Sequence, residues 1–295
     1  MKAKFSLFLM LFLSVAAFSL AAKNDDNIAV VAIPFLGGHT IYKYPTIEFM
    51  WGAGKANTHS DLLSQEFLNN GLMDFRVGFT TKKINLANFR NSDIIDVSFN
   101  YLFLSRFSKD YMLGDLASQG KVEFDGWKFG ATHSRGLAYK FNENSDLLLY
   151  NSKGIVWMDP NFSSDSIGDQ LAELKNRFGD AIRFGNCFEA GVKYQIIAPL
   201  AIDIAYERTV LYPRHLFWYW TASEMIEAAG HGLVNCFVYQ VAKSSPFAAP
   251  VVNFLLQNIV SYAAFELRKS KMNWPFDTSM PILTDSYKIG ISTAF

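Results

Sequence analysis

Large apolar residues alternating with small or polar ones, connections that are by turns short and long, and an alternating segment at the very end of the chain predict an all-β membrane barrel. Its expected form is about eight antiparallel strands with a helical hairpin inserted before the last one. In the closing stretch DSYKIGISTAF, Tyr287, Ile289, Ile291, Thr293 and Phe295 fall on one face of a strand, and Lys288, Gly290, Ser292 and Ala294 on the other. A carboxylate directly after a buried Phe is awkward to hydrate in a soluble domain. A barrel strand whose apolar face meets lipid, and whose end emerges in the periplasm, removes the difficulty.

The first residues fit an exported chain. Lys2 and Lys4 precede an apolar run from Phe5 to Phe18 and the small residues Ser19, Ala21 and Ala22, the pattern of a secretory signal cleaved near Ala21 or Ala22. The run is shorter than the roughly 20 residues a spanning helix needs. Residues 1–22 are therefore expected to be the signal and residues 23–295 one barrel domain, with an insertion at 212–285.

Composition narrows the class. The 295 residues carry 27 basic and 27 acidic side chains, so there is no electrostatic case for nucleic acid. Aromatic residues make up 16%, a share suited to a chain that sets rings at a membrane interface as well as inside. With only Cys187 and Cys236, the chain is no disulfide scaffold.

Strands are expected at Ile47–Ala53, Met73–Lys82, Asp96–Phe107, Trp127–Phe141, Leu147–Trp157, Cys187–Ile197, Leu200–Leu211 and the terminal stretch. With the last strand running inward, the segments 55–72, 108–125, 158–186 and 212–285 fall outside and are long. The segments 84–93, 142–146 and 198–199 fall inside and are short. A transmembrane barrel sorts its loops in this way; a soluble β-sandwich has no reason to.

Most strands have two unlike faces. Phe188, Ala190, Val192, Tyr194 and Ile196 oppose Glu189, Gly191, Lys193 and Gln195; Ile202, Ile204 and Tyr206 oppose Asp203, Ala205, Glu207 and Thr209; Phe75, Val77 and Phe79 oppose Asp74, Arg76, Gly78 and Thr80. In DVSFNYLF, Val97, Phe99, Tyr101 and Phe103 are expected toward lipid, and Asp96, Ser98 and Asn100 toward the lumen. The expected lumen network is thus Arg76, Asp96, Asn100, Glu189, Lys193, Asp203 and Glu207, paired because an unpaired buried charge is costly. Lys288 is expected near the inner end, where it should matter less. One strand departs from the pattern: in WKFGATHSRGLAYKF, His133 and Arg135 share a face with Phe129, Leu137 and Tyr139. An Arg facing the mid-bilayer costs roughly 2–4 kcal/mol. Either a bulge at Gly130 or Gly136 turns the two inward, or this part of the strand rises above the membrane.

The outer segments contain helices. SIGDQLAELKNRFG places Ile167, Leu171, Leu174 and Phe178 on one face, with Ser166 to cap and Gly179 to stop it. The insertion reads as two helices, about Ala222 to Lys243, capped by Thr221, and about Pro250 to Arg268. The second is apolar almost all round yet includes Asn253, Gln257 and Asn258, so the pair is expected over or within the barrel mouth.

The pattern from Ile47 to Phe295 resembles bacterial outer-membrane β-barrel proteins of the small kind with a side-chain-filled interior, without singling out a characterised family. The resemblance implies the bacterial outer membrane as location and its lipid as surroundings; eight strands leave no aqueous channel. Some barrels of this class are lipid hydrolases, but His133 and Ser134, adjacent in one strand, point to opposite faces and cannot act as base and nucleophile. The histidines His39, His59, His133, His215 and His231 show no metal-ligand spacing, and GAGKAN at 52–57 lacks the spacing of a phosphate loop, so no metal or cofactor is expected. YPRHLFWYW at 212–220 offers ligand or glycan contacts, or more simply an outer aromatic girdle anchoring the hairpin.

The expected function is non-enzymatic, a structural role or the binding of a hydrophobic ligand or protein partner through the helical cap. Contacts with ligand or membrane are expected from His133, Arg135, Arg214, His215, Trp218 and Trp220. An outer-membrane lipid hydrolase is the alternative, and a soluble periplasmic lipocalin-like barrel a lower one. Cys187 and Cys236 fall on the same side of the membrane in this topology, so a disulfide can form if the hairpin folds onto the mouth. Two unpaired thiols are the plainer expectation.

Overall fold

The computed structural model describes residues 29–30, 40–58, 63–84, 93–112, 121–164, 168–179 and 181–295. The signal segment, His39, His59, Ser166 and Ile167 lie outside the described residues. The strands are β1 (Ala29–Val30), β2 (Thr40–Asn57), β3 (Asn69–Ile84), β4 (Ile94–Ser108), β5 (Glu123–Lys140), β6 (Asp146–Ser163), β7 (Arg183–Ile197), β8 (Leu200–Leu211) and β9 (Ile282–Ala294). Each pairs antiparallel with the next, and β2 also pairs with β9, as in Glu48 opposite Ser292, so β2 to β9 close an eight-stranded barrel. The short β1 adds to β2 at Tyr42 and Lys43, past the end of β9. Connections keep the expected parity: 58–68, 109–122, 164–182 and 212–281 at one rim, and 85–93, 141–145 and 198–199 at the other.

Away from the hairpin, the outer surface of the wall is apolar. Phe75, Val77, Leu104, Phe129 and Tyr287 are all exposed, Leu102 is 65% exposed and Ile204 59%. A continuous apolar band of this kind is costly in water and matches a hydrocarbon core, so the fold is a membrane barrel.

Two expectations about facing are corrected here. In β4, Val97, Phe99, Tyr101 and Phe103 point into the lumen and Leu102 and Leu104 point out, which leaves Asp96 and Asn100 on the outer surface. Both faces of that strand carry large apolar side chains, so alternation alone does not choose between them. The ladder with β3 does, because Phe103 lies opposite the buried Arg76 and Ser105 opposite Asp74. In β5 no bulge occurs: its register is unbroken from Ile94↔Tyr139 to Phe107↔Gly126 on one side and along the whole ladder with β6 on the other. His133 and Arg135 therefore stay on the outer face.

The lumen is filled in three layers. Phe99, Tyr101, Leu148 and Tyr150 close the short-turn end. Charged groups occupy the middle. At the long-loop rim, helix α1 (Asp169–Phe178) presses Leu171, Leu174 and Phe178 onto Leu63, Phe67, Phe124 and Phe162. This short helix, rather than the hairpin, stoppers the mouth. A remaining cavity lined by Leu72, Phe124, Lys128 and Glu207 measures about 40 Å³, room for about one water.

The hairpin, α2 (Phe217–Ser244) and α3 (Ala249–Arg268), is neither cap nor plug; it runs down the outside of the wall. Its α2–α3 turn reaches the short-turn rim, where the Tyr139 hydroxyl donates to the Phe247 carbonyl at 2.8 Å. Val238, Ala242 and Ala249 pack on the outward side chains of Ile94 and Leu137. Nearer the other rim, Arg208 of β8 lies 4.7 Å from the Tyr262 ring and 5.1 Å from Phe265. At about 1.5 Å per residue, α3 is about 30 Å long, the thickness of the hydrocarbon core. The helical segment Pro246–Arg268 is by length and composition sufficient to cross a membrane. Of the polar residues that argued against membrane burial, Gln257 bonds Asn235 and His231 of α2, Asn258 donates to the Phe254 carbonyl of its own helix at 2.6 Å, and Asn253 lines the space between helix and wall. The first helix also begins earlier than expected, after Leu216, and the Thr221 hydroxyl donates to the Phe217 carbonyl at 2.8 Å instead of capping.

Candidate functional site

The wall beneath the hairpin carries a polar patch. Asn100, His133 and Lys153 form one row across β4, β5 and β6, with Arg135 and Asn151 paired in the next and Asp96 beyond. Facing lipid, an Arg or Lys costs roughly 2–4 kcal/mol at the bilayer midplane and less toward an interface. The hairpin answers with polar residues at helical spacing: Glu224, Glu227, His231 and Asn235 on α2, and Asn253, Gln257, Ser261 and Arg268 on α3.

The pairing is specific. Lys153 reaches Glu224 at 2.7 Å and Glu227 at 3.0 Å, and Arg268 reaches the same two carboxylates at 2.8 and 2.6 Å. Asn186 of β7 donates to Glu224 and accepts from the Trp220 indole at 3.0 Å, fixing where α2 starts. Between the helices, Gln257 donates to Asn235 at 2.7 Å and its carbonyl faces His231 Nδ1. Hydrogen bonds of this kind, with small residues at the crossing, hold helices together in lipid. Gly230 permits the approach, since a Cβ there would meet Val260 at 3.1 Å.

A cleft of about 690 Å³ remains between wall and hairpin, bounded by Asp96, His133, Arg135, Asn151 and Lys153 on one side and Gly232, Asn235, Tyr239, Asn253 and Gln257 on the other. A second groove, about 740 Å³, also touches His133 and Lys153 and continues over Val77, Phe79, Leu102 and Ile155. A polar cleft thus runs into an apolar groove on the lipid side of the barrel. Two groups in it are incompletely engaged. Arg135 holds Asp96 through Nε at 3.2 Å and Nη2 at 2.6 Å, while Nη1 has no protein partner among the described residues. His133 Nδ1 lies 2.8 Å from the Asn100 side-chain oxygen, leaving Nε2 toward the cleft.

The residues singled out from the sequence divide among three places. Arg76, Glu189, Lys193, Asp203 and Glu207 line the lumen, where Arg76 binds Asp74 at 2.8 Å, Glu189 at 2.6 Å and Glu48 at 3.2 Å. Asp96 and Asn100 do not join them, for the reason given by the β4 register. His133 and Arg135 line the cleft. Arg214, His215, Trp218 and Trp220 sit apart at the long-loop rim: the His215 ring lies tilted against Phe184 at 4.5 Å, Trp220 packs on the cluster of Tyr212, Phe265 and Leu283, and Trp218 is 80% exposed. A disulfide is ruled out. Cys187 points into the lumen beside Phe103 and Val156, Cys236 is exposed on the hairpin outside, and the barrel wall separates the two thiols. Lys288 also departs from expectation, fully buried at the centre of the lumen between Asp74, Glu189 and Glu207.

Sequence reasoning missed Lys153, Glu224, Glu227, Asn235 and Arg268. The signal was present: Lys153 shares an alternation face with Leu149, Ile155 and Trp157, and each helix carries a stripe of polar residues at spacings of three or four on an otherwise apolar surface.

No protein-family model and no curated protein matches this chain. Among solved structures it is similar to Neisserial surface protein A (NspA), with 9% identity and a TM-score of 0.36 over 85% of this chain and 97% of that one. It is also similar to Ail, the attachment invasion locus protein of Yersinia pestis, with 9% identity and a TM-score of 0.28 over 88% of this chain and all of that one. Likeness at this level carries no argument about function, and the barrel rests on its own register and wall.

Proposed function

We propose that this chain is a bacterial outer-membrane barrel that binds an amphipathic molecule, admitted sideways from the bilayer, between its wall and its helical hairpin. The observation that carries this is the continuity of the polar cleft with the apolar groove outside a lumen that is closed. The outer membrane is supported by the signal-like first residues, the parity of the loops and the apolar wall. Binding is favoured over hydrolysis because, among the described residues, no serine hydroxyl is hydrogen-bonded to His133: its Nδ1 lies against Asn100, and Ser98, opposite Arg135 on the outer face, makes no such bond. Ser134 faces the lumen, and Ser261, whose hydroxyl lies 3.4 Å from His231 Nε2, does not line the cleft.

Gly232 supplies the test, because a Cβ there meets nothing within 4 Å and a larger side chain would occupy the cleft without disturbing the helices. Native mass spectrometry of the protein extracted in mild detergent should show retained lipid, and Gly232→Trp should lose most of it at unchanged stability. Equal retention by both proteins would dismiss the cleft as the site.

A further inference from the structure

The geometry points to an acidic headgroup, a phosphate monoester or a carboxylate on an acyl chain, as what the cleft recognises; this rests on the binding role proposed above. Three observations carry it. The cleft's carboxylates are already engaged, Asp96 by Arg135 and Glu224 and Glu227 by Lys153 and Arg268, so a cationic headgroup would find no unpaired acid. Donors, by contrast, remain. Arg135 Nη1 is unpaired, and His133 Nε2, two residues along the same face, either donates to an anionic oxygen as imidazolium or accepts from the hydroxyl of a phosphate monoanion. The charge balance agrees, since Lys83 stands opposite Asp96 on the same outer face. Lys83, Arg135, Lys153 and Arg268 make four cations against the three carboxylates Asp96, Glu224 and Glu227.

The axis of the site fits a lipid rather than a free ion. Asp96 and Lys83 lie next to the strand ends Ile94 and Ile84 at the short-turn rim, whereas Leu102 and Ile155 of the apolar groove lie farther along the wall. A headgroup at Arg135 would therefore point toward the periplasmic interface with its chain over Leu102 and Ile155, the orientation of a lipid in the inner leaflet.

Binding to the detergent-solubilised full barrel can be titrated with three probes: dioleoyl phosphatidic acid, dioleoylglycerol and inorganic phosphate. Phosphatidic acid should bind about tenfold more tightly than dioleoylglycerol, the scale of one charge-assisted hydrogen bond. Arg135→Gln should abolish that preference. Because that change also strips Asp96 of its partner, His133→Gln serves as the gentler variant, leaving the Arg135–Asp96 pair intact and narrowing the preference severalfold. Equal binding of the two lipids by the wild type overturns the headgroup assignment while the cleft stands. Failure of both lipids to bind overturns the cleft itself. Inorganic phosphate binding as tightly as phosphatidic acid overturns the lipid as the source of the anion.

Discussion

The lumen and the cleft both gather ionised side chains, yet they are finished differently: Lys288 is fully buried, whereas the Arg135 side chain is 59% exposed. In the lumen the cations are paired, most of them with several carboxylates: Arg76 contacts Asp74, Glu189 and Glu48, Lys193 contacts Glu48 and Asp203, Lys288 contacts Asp74, Glu189 and Glu207, Lys128 contacts Glu207, and Asp74 also accepts from Ser105 at 2.9 Å. The void left in its outer half is about 40 Å³. In the cleft the carboxylates are matched, but donors and about 690 Å³ are left over. A close-packed network of mutually paired ions specifies one packing and leaves a ligand no room. A network with spare donors and space pays for its burial only when something fills it.

The largest expected effect belongs to the lumen. Lys288→Ala removes the ammonium that three lumen acids share, and breaking a buried pair in this way costs about 3–5 kcal/mol. The urea midpoint of the detergent-refolded barrel should fall sharply, with heat-dependent gel mobility lost at lower temperature. Lys83→Ala, on the outer face, should leave the midpoint nearly unchanged. Similar midpoints for the two variants would mean that the lumen is wet and its charges solvated.

A smaller and local effect is expected at the hairpin. Glu227 ties Lys153 of the wall to Arg268 of α3, so Glu227→Gln should leave both cations short of one partner, at about 1–3 kcal/mol. The cost should appear as faster amide exchange in α2 and α3 with the β strands still protected, because the barrel ladder closes through β2 and β9 without the hairpin. Exchange that rises uniformly through the barrel would argue that hairpin and wall form one cooperative unit.

The contrast also marks what the sequence could tell. Closure, strand order and loop parity were legible because lipid outside and a narrow interior force period two and unequal loops on every strand, as in the faces of β7 and β8. The facing of β4 was not, since Phe99 and Leu102 are equally apolar and only the neighbour's Arg76 decides between them. The cleft was half legible. His133 and Arg135 violated the lipid-face rule and were rightly conspicuous, but the remedies considered were local to their own strand, a bulge or a rise. The actual remedy comes from residues some hundred positions later, Glu224 to Arg268, and side-chain pairing over that separation has no one-dimensional signature. Asn253, Gln257 and Asn258 argued against a membrane helix for the same reason: the first two have to be read together with the cleft they line.

The smallest effect concerns the two thiols, and it tests on which side of the wall the hairpin lies. Cys187 faces inward between Gly154 and Thr209, walled in by Phe103 and Val156, whereas Cys236 is exposed on the outward side of α2. A lipid-soluble maleimide should therefore label Cys236 in the folded protein and reach Cys187 only after unfolding. Reduction should leave gel mobility unchanged. Cys236→Ala should move the urea midpoint by no more than about 0.5 kcal/mol, as for a side chain that touches mainly lipid. If the hairpin instead dipped into the mouth, Cys236 would approach the outer end of β7, resist the reagent and come within reach of Cys187. A reduction-sensitive band would then move the hairpin inside the barrel, and the cleft beside Arg135 would cease to exist as a site open to lipid.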